Sequence, residues 1–180
     1  MPMIAIVGSR SASAEGLKNA TCFAKALSDA GLVIVSGLAR GVDGAAHKAT
    51  LSLGSKHFTV AVCGTGVDVI YPKEHLGLAR DIRKRGLLIS ELPLGSPPKP
   101  RHFPLRNRII AALSIGVVVI EAAERSGSLI TARLALELGR EVFAIPGSIQ
   151  NPLSTGCNLL IQQGAKLVRN PQDVLEELVF

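Results

Sequence analysis

From Leu92 to Ile120 the sequence carries no acidic residue, yet Lys99, Arg101, Arg106 and Arg108 all fall within that span. One aromatic, Phe103, and one amide, Asn107, stand among the cations in the stretch RHFPLRNR. Cations that track phosphates beside an aromatic face on which a base can stack are the ingredients of single-stranded nucleic-acid binding, because every base has a π-face. Asn107 adds donors and an acceptor for a base edge or a phosphate oxygen. The same residues also read as a core plug at Phe103 followed by the solvated start of a helix at Arg106 and Arg108.

Two further loops carry arginines beside glycines. In VGSRSASAEG, Gly8 permits close approach, Ser9 offers a hydroxyl and Arg10 a bidentate phosphate donor. The glycines of a G-x-G-x-x-G fingerprint and the G-K-[ST] of a P-loop are both missing, so neither standard nucleotide cradle is present. The alternative is an ordinary turn in which Ser13 caps the next helix. In SGLARGVDGAAH, Gly37 and Gly41 keep the backbone bare and Arg40 can reach toward the face of Arg10. Asp43 reads as a helix cap or an orienting partner for an arginine, and His47 as a packed helix residue. A lone Asp-x-x-x-His pair with no further ligand gives no metal site. The loop VCGTGVDVIYP carries no cation and reads as structural. In IEAAERSGSLITARLAL, the hydroxyls of Ser126 and Ser128 and the unblocked N–H groups around Gly127 can form a neutral anion cradle at a helix start. Ser128 can equally be a plain N-cap. Glu121, at the preceding strand end, reads as an acid that orients arginines.

These loops need a frame that brings them together. Aliphatic runs at 3–7, 32–36, 59–62, 87–90, 117–120, 142–145 and 166–168 read as strands. Segments of helical period at 15–30, 41–53, 73–85, 106–113, 129–138, 156–163 and 171–179 separate and follow them. In the first helix, Leu17, Ala20, Thr21, Ala24, Leu27 and Ser28 mark the apolar face. Gly31, Gly54, Gly86, Gly139 and Gly164 each follow a helix and predict left-handed C-caps. Such alternation predicts an α/β fold with an extended Rossmann-like, doubly wound, mostly parallel sheet and helices on both faces. Ligands then bind beyond the carboxyl ends of the strands, where all the loops above lie. Leu92–Pro100, with five prolines and glycines, reads as a lid-like segment without regular structure.

Composition agrees. The 180 residues are 47% hydrophobic but only 3% aromatic, which suits the Val-, Ile- and Leu-rich core of a parallel sheet in one domain spanning 1–180. A formal charge of +6 favours polyanionic partners. Three scattered cysteines, Cys22, Cys63 and Cys157, suggest neither a disulfide framework nor a CxxC site. A cytoplasmic protein without a membrane span or signal peptide is the expectation.

Six motifs in one order, GSR at 8–10, SGLARGVD at 36–43, GTGVDVIYP at 64–72, FPLRNRIIAALS at 103–114, SGSLITA at 126–132 and PGS at 146–148, resemble the bacterial DNA processing protein A family, also called DprA or Smf. The resemblance implies binding of single-stranded DNA, loading of the recombinase RecA onto it during natural transformation, a homodimer formed through the Rossmann domain, and no cofactor or covalent chemistry. The DNA-binding roles it implies fall on Gly8, Ser9 and Arg10 and on Phe103, Arg106 and Asn107, with Lys99 and Arg101 upstream. Family members often carry an N-terminal helical domain and a C-terminal winged-helix-like domain, and this chain is expected to lack both. A different class of function is a nucleotide-processing enzyme resembling the lysine-decarboxylase-like phosphoribohydrolases, or a nucleotide-binding regulator. The enzymes need an acid one helical turn after a glycine turn, whereas SGSLITARLALE offers none before Glu137.

Overall fold

The computed structural model describes residues 1–178. Its strands are β1 (Met3–Val7), β2 (Val33–Ser36), β3 (Thr59–Val62), β4 (Leu87–Ile89), β5 (Gly116–Val119), β6 (Glu141–Ala144) and β7 (Lys166–Leu167). Helices follow as α1 (Ala14–Asp29), α2 (Val42–Ser52), α3 (Leu76–Arg85), α4 (His102–Leu113), α5 (Gly127–Glu137), α6 (Thr155–Gln162) and α7 (Pro171–Leu175). The strands form one sheet in the order β4-β3-β2-β1-β5-β6-β7, and every neighbouring pair is parallel. The chain therefore starts in the middle, winds outward to β4, and returns to lay β5 against the other side of β1. That reversal opens a crevice beyond the carboxyl ends of β1 and β5.

Period-two alternation divides the core between two faces. Ala5, Val7, Val35, Val62, Val117 and Val119 turn to one side and pack with Ile110 of α4, Ala132 and Ala135 of α5, and Leu160 of α6. Ile4, Ile6, Ile34, Val118 and Phe143 turn to the other and pack with Phe23 and Leu27 of α1, Ala46 and Ala49 of α2, and Val174 of α7. Burying each of the larger aliphatic side chains contributes roughly 1.5–3 kcal/mol. Small residues on α2 let it lie close to the sheet, which sets the position of the loop before it. Among the described residues no helix is long and apolar enough to cross a membrane.

The doubly wound parallel sheet is as the alternation predicts, but several local readings need correction. Helix α4 begins at His102 rather than Arg106. Pro104 sits in its first turn, where a missing N–H has no intrahelical partner to lose, so the proline marks a start and not a loop. Segment 73–85 divides into a 3₁₀ turn at Lys73–His75 and then α3. Helix α5 begins two residues earlier than expected and is capped by Ser126, whose side chain accepts from Ser128 N–H. On α1, Leu17 is 38% exposed, and Phe23, outside the expected apolar face, is buried in the core instead. Gly86 is extended, with φ −163, and is not a left-handed cap. It is a glycine because a Cβ there would stand 2.1 Å from the Thr59 carbonyl oxygen. The last expected helix ends at Leu175, and its residue Val179 lies outside the described residues. Leu92–Pro100 lacks regular structure but is held down: Gly95 N–H donates to the Asp68 carboxylate at 2.9 Å and Gly66 N–H donates to Ser96 O at 3.0 Å.

Candidate nucleic-acid interface

The loop after β1 is cast tightly against its neighbours. A Cβ on Gly8 would meet Val42 Cγ2 at 2.7 Å and Glu121 O at 2.9 Å, so the close approach made by Gly8 is to protein atoms. Ser9 N–H donates to Glu121 O at 2.7 Å, Ser9 O accepts from Val42 N–H at 3.2 Å, and Ser9 Oγ accepts from Ser11 N–H at 3.1 Å. With its neighbours thus tied, the exposed Arg10 is the one side chain of GSR that projects freely. Gly41, at φ +73, completes the mould, because a Cβ there would lie 2.2 Å from Ser9 O.

Arg10 projects over Phe103. Its guanidinium carbon lies 5.6 Å from the ring centroid, and that of Arg106 lies 5.9 Å away. Both are within cation–π range. The half-buried ring rests on Gly64, where a Cβ would be 2.7 Å from Phe103 Cδ1, and Tyr71 packs against it at 5.5 Å between centroids. The glycine turn that sequence alone reads as structural is thus the bed of the aromatic platform, and Tyr71 is its second ring.

Arg106 plays a different part from Arg10. It is only 6% exposed and donates to Val62 O and, at 3.1 Å, to Asn107 Oδ1. Beside it lies the buried carboxylate of Asp43. A Cβ on Gly37 would stand 2.5 Å from Asp43 Oδ2 and 2.8 Å from an Arg106 Nη, so glycine is the residue that leaves this pair its room. Burial pushes the Asp43 carboxyl up from its ordinary value, while the positive charge of Arg106 pulls the other way. Burial likewise lowers the guanidinium of Arg106, and Asp43 opposes that fall. Arg106 is a desolvated strut beneath Phe103 rather than a solvent-facing donor. Asn107 is also engaged, since its Nδ2 donates to Gly127 O at 3.2 Å and ties α4 to the start of α5.

The remaining expected residues divide. Ser9, Arg10, Asn107, Ser126, Gly127 and Ser128 line one crevice of about 430 Å³ at the switch in strand order, together with Asp43, Phe103 and Arg106. Ser126 Oγ and Ser128 Oγ lie 2.6 Å apart at its far wall. Arg40 lines a smaller hollow with Arg10, Tyr71 and Phe103, but its charge is paired with Glu74. Arg108 is paired with Glu91. Lys99 and Arg101 are exposed on the approach to α4 and make no ion pair among the described residues. Glu121 does not orient an arginine: its carboxylate accepts from Ser13 N–H at 2.9 Å and from Ser13 Oγ at 2.5 Å, and so fixes the cap of α1. Arg125, a cation directly before SGS, also lines the crevice, so the cradle at the start of α5 is not neutral. Among the described residues no group of three His, Cys, Asp or Glu side chains is placed to hold a metal ion.

Against known proteins, the sequence profile of the DNA recombination-mediator protein A family matches residues 1–179. The chain is 52% identical over 178 residues to Protein Smf of Escherichia coli, covering 98% of this chain and 47% of that protein. It is 54% identical over 179 residues to DNA processing protein DprA of Streptococcus pneumoniae, covering 99% of this chain and 62% of that one. The chain thus spans roughly half to three-fifths of the length of these relatives. Its fold superposes on the X-ray structure of the pneumococcal DprA with a TM-score of 0.93, at 52% identity, covering 100% of this chain and 62% of that one. It also superposes on DNA processing protein A from Helicobacter pylori, a structure described for its single-stranded DNA binding mode, with a TM-score of 0.88 at 31% identity, covering 97% of this chain and 79% of that one.

Proposed function

Because the chain belongs to the DNA recombination-mediator protein A family, we propose that it binds single-stranded DNA in the crevice at the carboxyl ends of β1 and β5. The observation that carries this reading is Arg10 poised over the half-buried Phe103 ring, with Tyr71 beside it. An exposed cation next to two aromatic rings, unpaired among the described residues, offers a phosphate and its base their respective partners. Ser126, Gly127 and Ser128 at the start of α5, with Arg125, supply N–H, hydroxyl and cationic donors at the opposite wall. Gly8, Gly37, Asp43, Arg106, Asn107 and Glu121 act at one remove, by moulding the loops and bracing the platform. Arg40, Lys99 and Arg101 stand at the rim, where charge steers a strand more than it grips one.

The role we propose is binding, without covalent chemistry. A hydrolytic alternative needs a free carboxylate over the substrate, but Glu121 is committed to Ser13 and Asp43 is buried beside Arg106. By the same family relationship we propose that residues 1–180 act as a single DNA-binding unit in the cytoplasm, as a homodimer, and deliver the bound strand to the recombinase RecA.

The test uses the chain's own chromophores. With no Trp and a single Tyr, its intrinsic fluorescence above the phenylalanine band comes from Tyr71. Titration with oligothymidylate should quench that emission, and log affinity should fall against log salt by about 0.7 per phosphate neutralised. Arg10→Ala should weaken binding and lower the slope by one such step. Affinity indifferent both to salt and to Arg10→Ala would refute the reading, and release of free base from a nucleoside monophosphate would reinstate the hydrolytic one.

A further inference from the structure

Arg10 lines more than the crevice. It also lines a groove of about 600 Å³ between α1 and α2. We propose that this groove carries the sugar-phosphate backbone of the same DNA strand onward, so that the strand turns round Arg10 and leaves along α1. The proposal rests on the crevice reading above and extends it to a second, phosphate-tracking surface.

Three observations carry it. Charge is the first: Lys25 of α1 and Lys48 of α2 flank the groove, both exposed and both without an ion pair among the described residues, and no carboxylate lines it. Shape is the second. The floor is Gly41, Gly44, Ala45 and Ala49, side chains so small that a backbone can descend between the two helices. Donor chemistry is the third. The helix hydroxyls at the groove are turned back on their own helices, Thr21 Oγ1 donating to Leu17 O at 2.9 Å and Ser52 Oγ to Ala49 O at 2.7 Å, while the exposed Ser11 stands beside Arg10 at the GSR loop. Along the helices this leaves two flexible point charges, Lys25 and Lys48, suited to phosphates of any sequence; His75 is buried with its Nδ1 on Leu38 O.

Reach agrees with a strand. Leu17, Thr21 and Lys25 line the groove at four-residue steps along α1. At about 1.5 Å per residue, Leu17 to Lys25 covers roughly 12 Å. Stacked nucleotides advance about 3.4 Å each, so the groove holds about three of them beyond those in the crevice. The exposed Leu17 at its rim gives a sugar or base an apolar neighbour.

Oligothymidylates of three and twelve nucleotides separate the two surfaces, with fluorescence anisotropy of a 5′-labelled strand as the readout. For the double variant Lys25→Gln/Lys48→Gln the twelve-nucleotide strand should lose affinity and its salt slope should fall by about 1.4, two steps of 0.7. Binding of the three-nucleotide strand should be unchanged. Arg10→Ala should weaken both. A slope for the long strand that stays at the parent value in the lysine variant, while Arg10→Ala lowers it, overturns the groove and leaves the crevice standing. Loss in the lysine variant with none in Arg10→Ala overturns the continuous path, because the strand would then reach the groove without passing Arg10. All three substitutions are at exposed positions, and Lys25→Glu/Lys48→Glu should deepen the loss if charge is its cause.

Discussion

Arg106→Ala distinguishes a strut from a phosphate contact. In the folded chain Arg106 supplies the cation next to buried Asp43, a donor to Val62 O and one to Asn107 Oδ1, and lies beneath the Phe103 ring. Arg106 and Asp43 do not come within ion-pair distance, so the loss is of the charged donors on Val62 O and Asn107 Oδ1, left buried and unsatisfied, together with the positive charge that opposes Asp43, on the order of 3 kcal/mol. Folded domains of this size have roughly 5–15 kcal/mol in hand, so the variant should fold but sit near its threshold. Urea unfolding gives the number directly. Its pH dependence gives the cause. The Asp43 carboxyl is already held above its usual value by burial, and Arg106 is what restrains the rise. Without Arg106 the folded carboxyl moves higher still. A folded-state value above the unfolded one confers stability that is complete at low pH and is lost as pH rises through the folded value. The deficit of Arg106→Ala should therefore widen from pH 4 toward pH 7 and shrink in acid. Asp43→Asn/Arg106→Met, which removes both charges, should recover the share of the loss that comes from Asp43. The reasoning fails if Arg106→Ala unfolds within about 1 kcal/mol of the parent while lowering the salt slope for oligothymidylate by 0.7, as Arg10→Ala should; Arg106 would then be an exposed-type phosphate contact.

Two further outcomes follow from buried groups around the same loops. His47 is fully buried, meets Gly37 O and Thr59 Oγ1 at 2.6 Å each, and is held down to about 4 by burial. A lowered histidine gives stability that is whole above its unfolded value of about 6.5 and is lost as pH falls toward 4, a loss of about 3 kcal/mol that His47→Gln should remove from the pH profile of urea midpoints. If parent and variant profiles stay parallel between pH 6.5 and 4, the imidazole is not the titrating group. Gly41→Ala places a Cβ 2.2 Å from Ser9 O at a φ of +73, so it should cost at least about 2 kcal/mol and weaken oligonucleotide binding by displacing Arg10. Thermal unfolding at parental temperature would remove that account of the GSR loop.

Periodicity made the sheet legible because a parallel sheet buried on both faces leaves short aliphatic runs between amphipathic helices, and nothing else in the chain imitates that pattern. Helix ends were less legible where one residue type has two meanings. Pro104 can break a helix or begin one, and only the three-dimensional setting of α4 decides between them. The crevice itself followed from chain order, since loops leaving parallel strands must meet at one edge. What sequence could not yield was how the arginines share their work. Arg10 and Arg106 are the same residue type in loops at the same edge of the sheet, yet one is exposed and the other is 6% exposed beside a carboxylate 63 positions earlier in the chain. Nor does local sequence show the partner of Glu121, since Ser13 lies 108 residues away.

The glycines of these loops have a common physical role that bears on function. Gly8, Gly37, Gly41 and Gly64 would each drive a Cβ to within 3 Å of a protein atom, and those atoms belong to Val42, Asp43, Ser9 and Phe103. Bare backbone at such sites is commonly taken as room for a ligand; here it is room for the protein's own supports. The space left for the proposed strand is bounded instead by the exposed Arg10 and by the half-buried Phe103 ring, packed on Gly64. If a base stacks there, a ring held on Gly64 would lose little entropy, most of the reordering falling to Arg10. For that reason the affinity of the crevice should depend more on the glycines that fix Phe103 and the GSR loop than on the number of exposed cations around its rim.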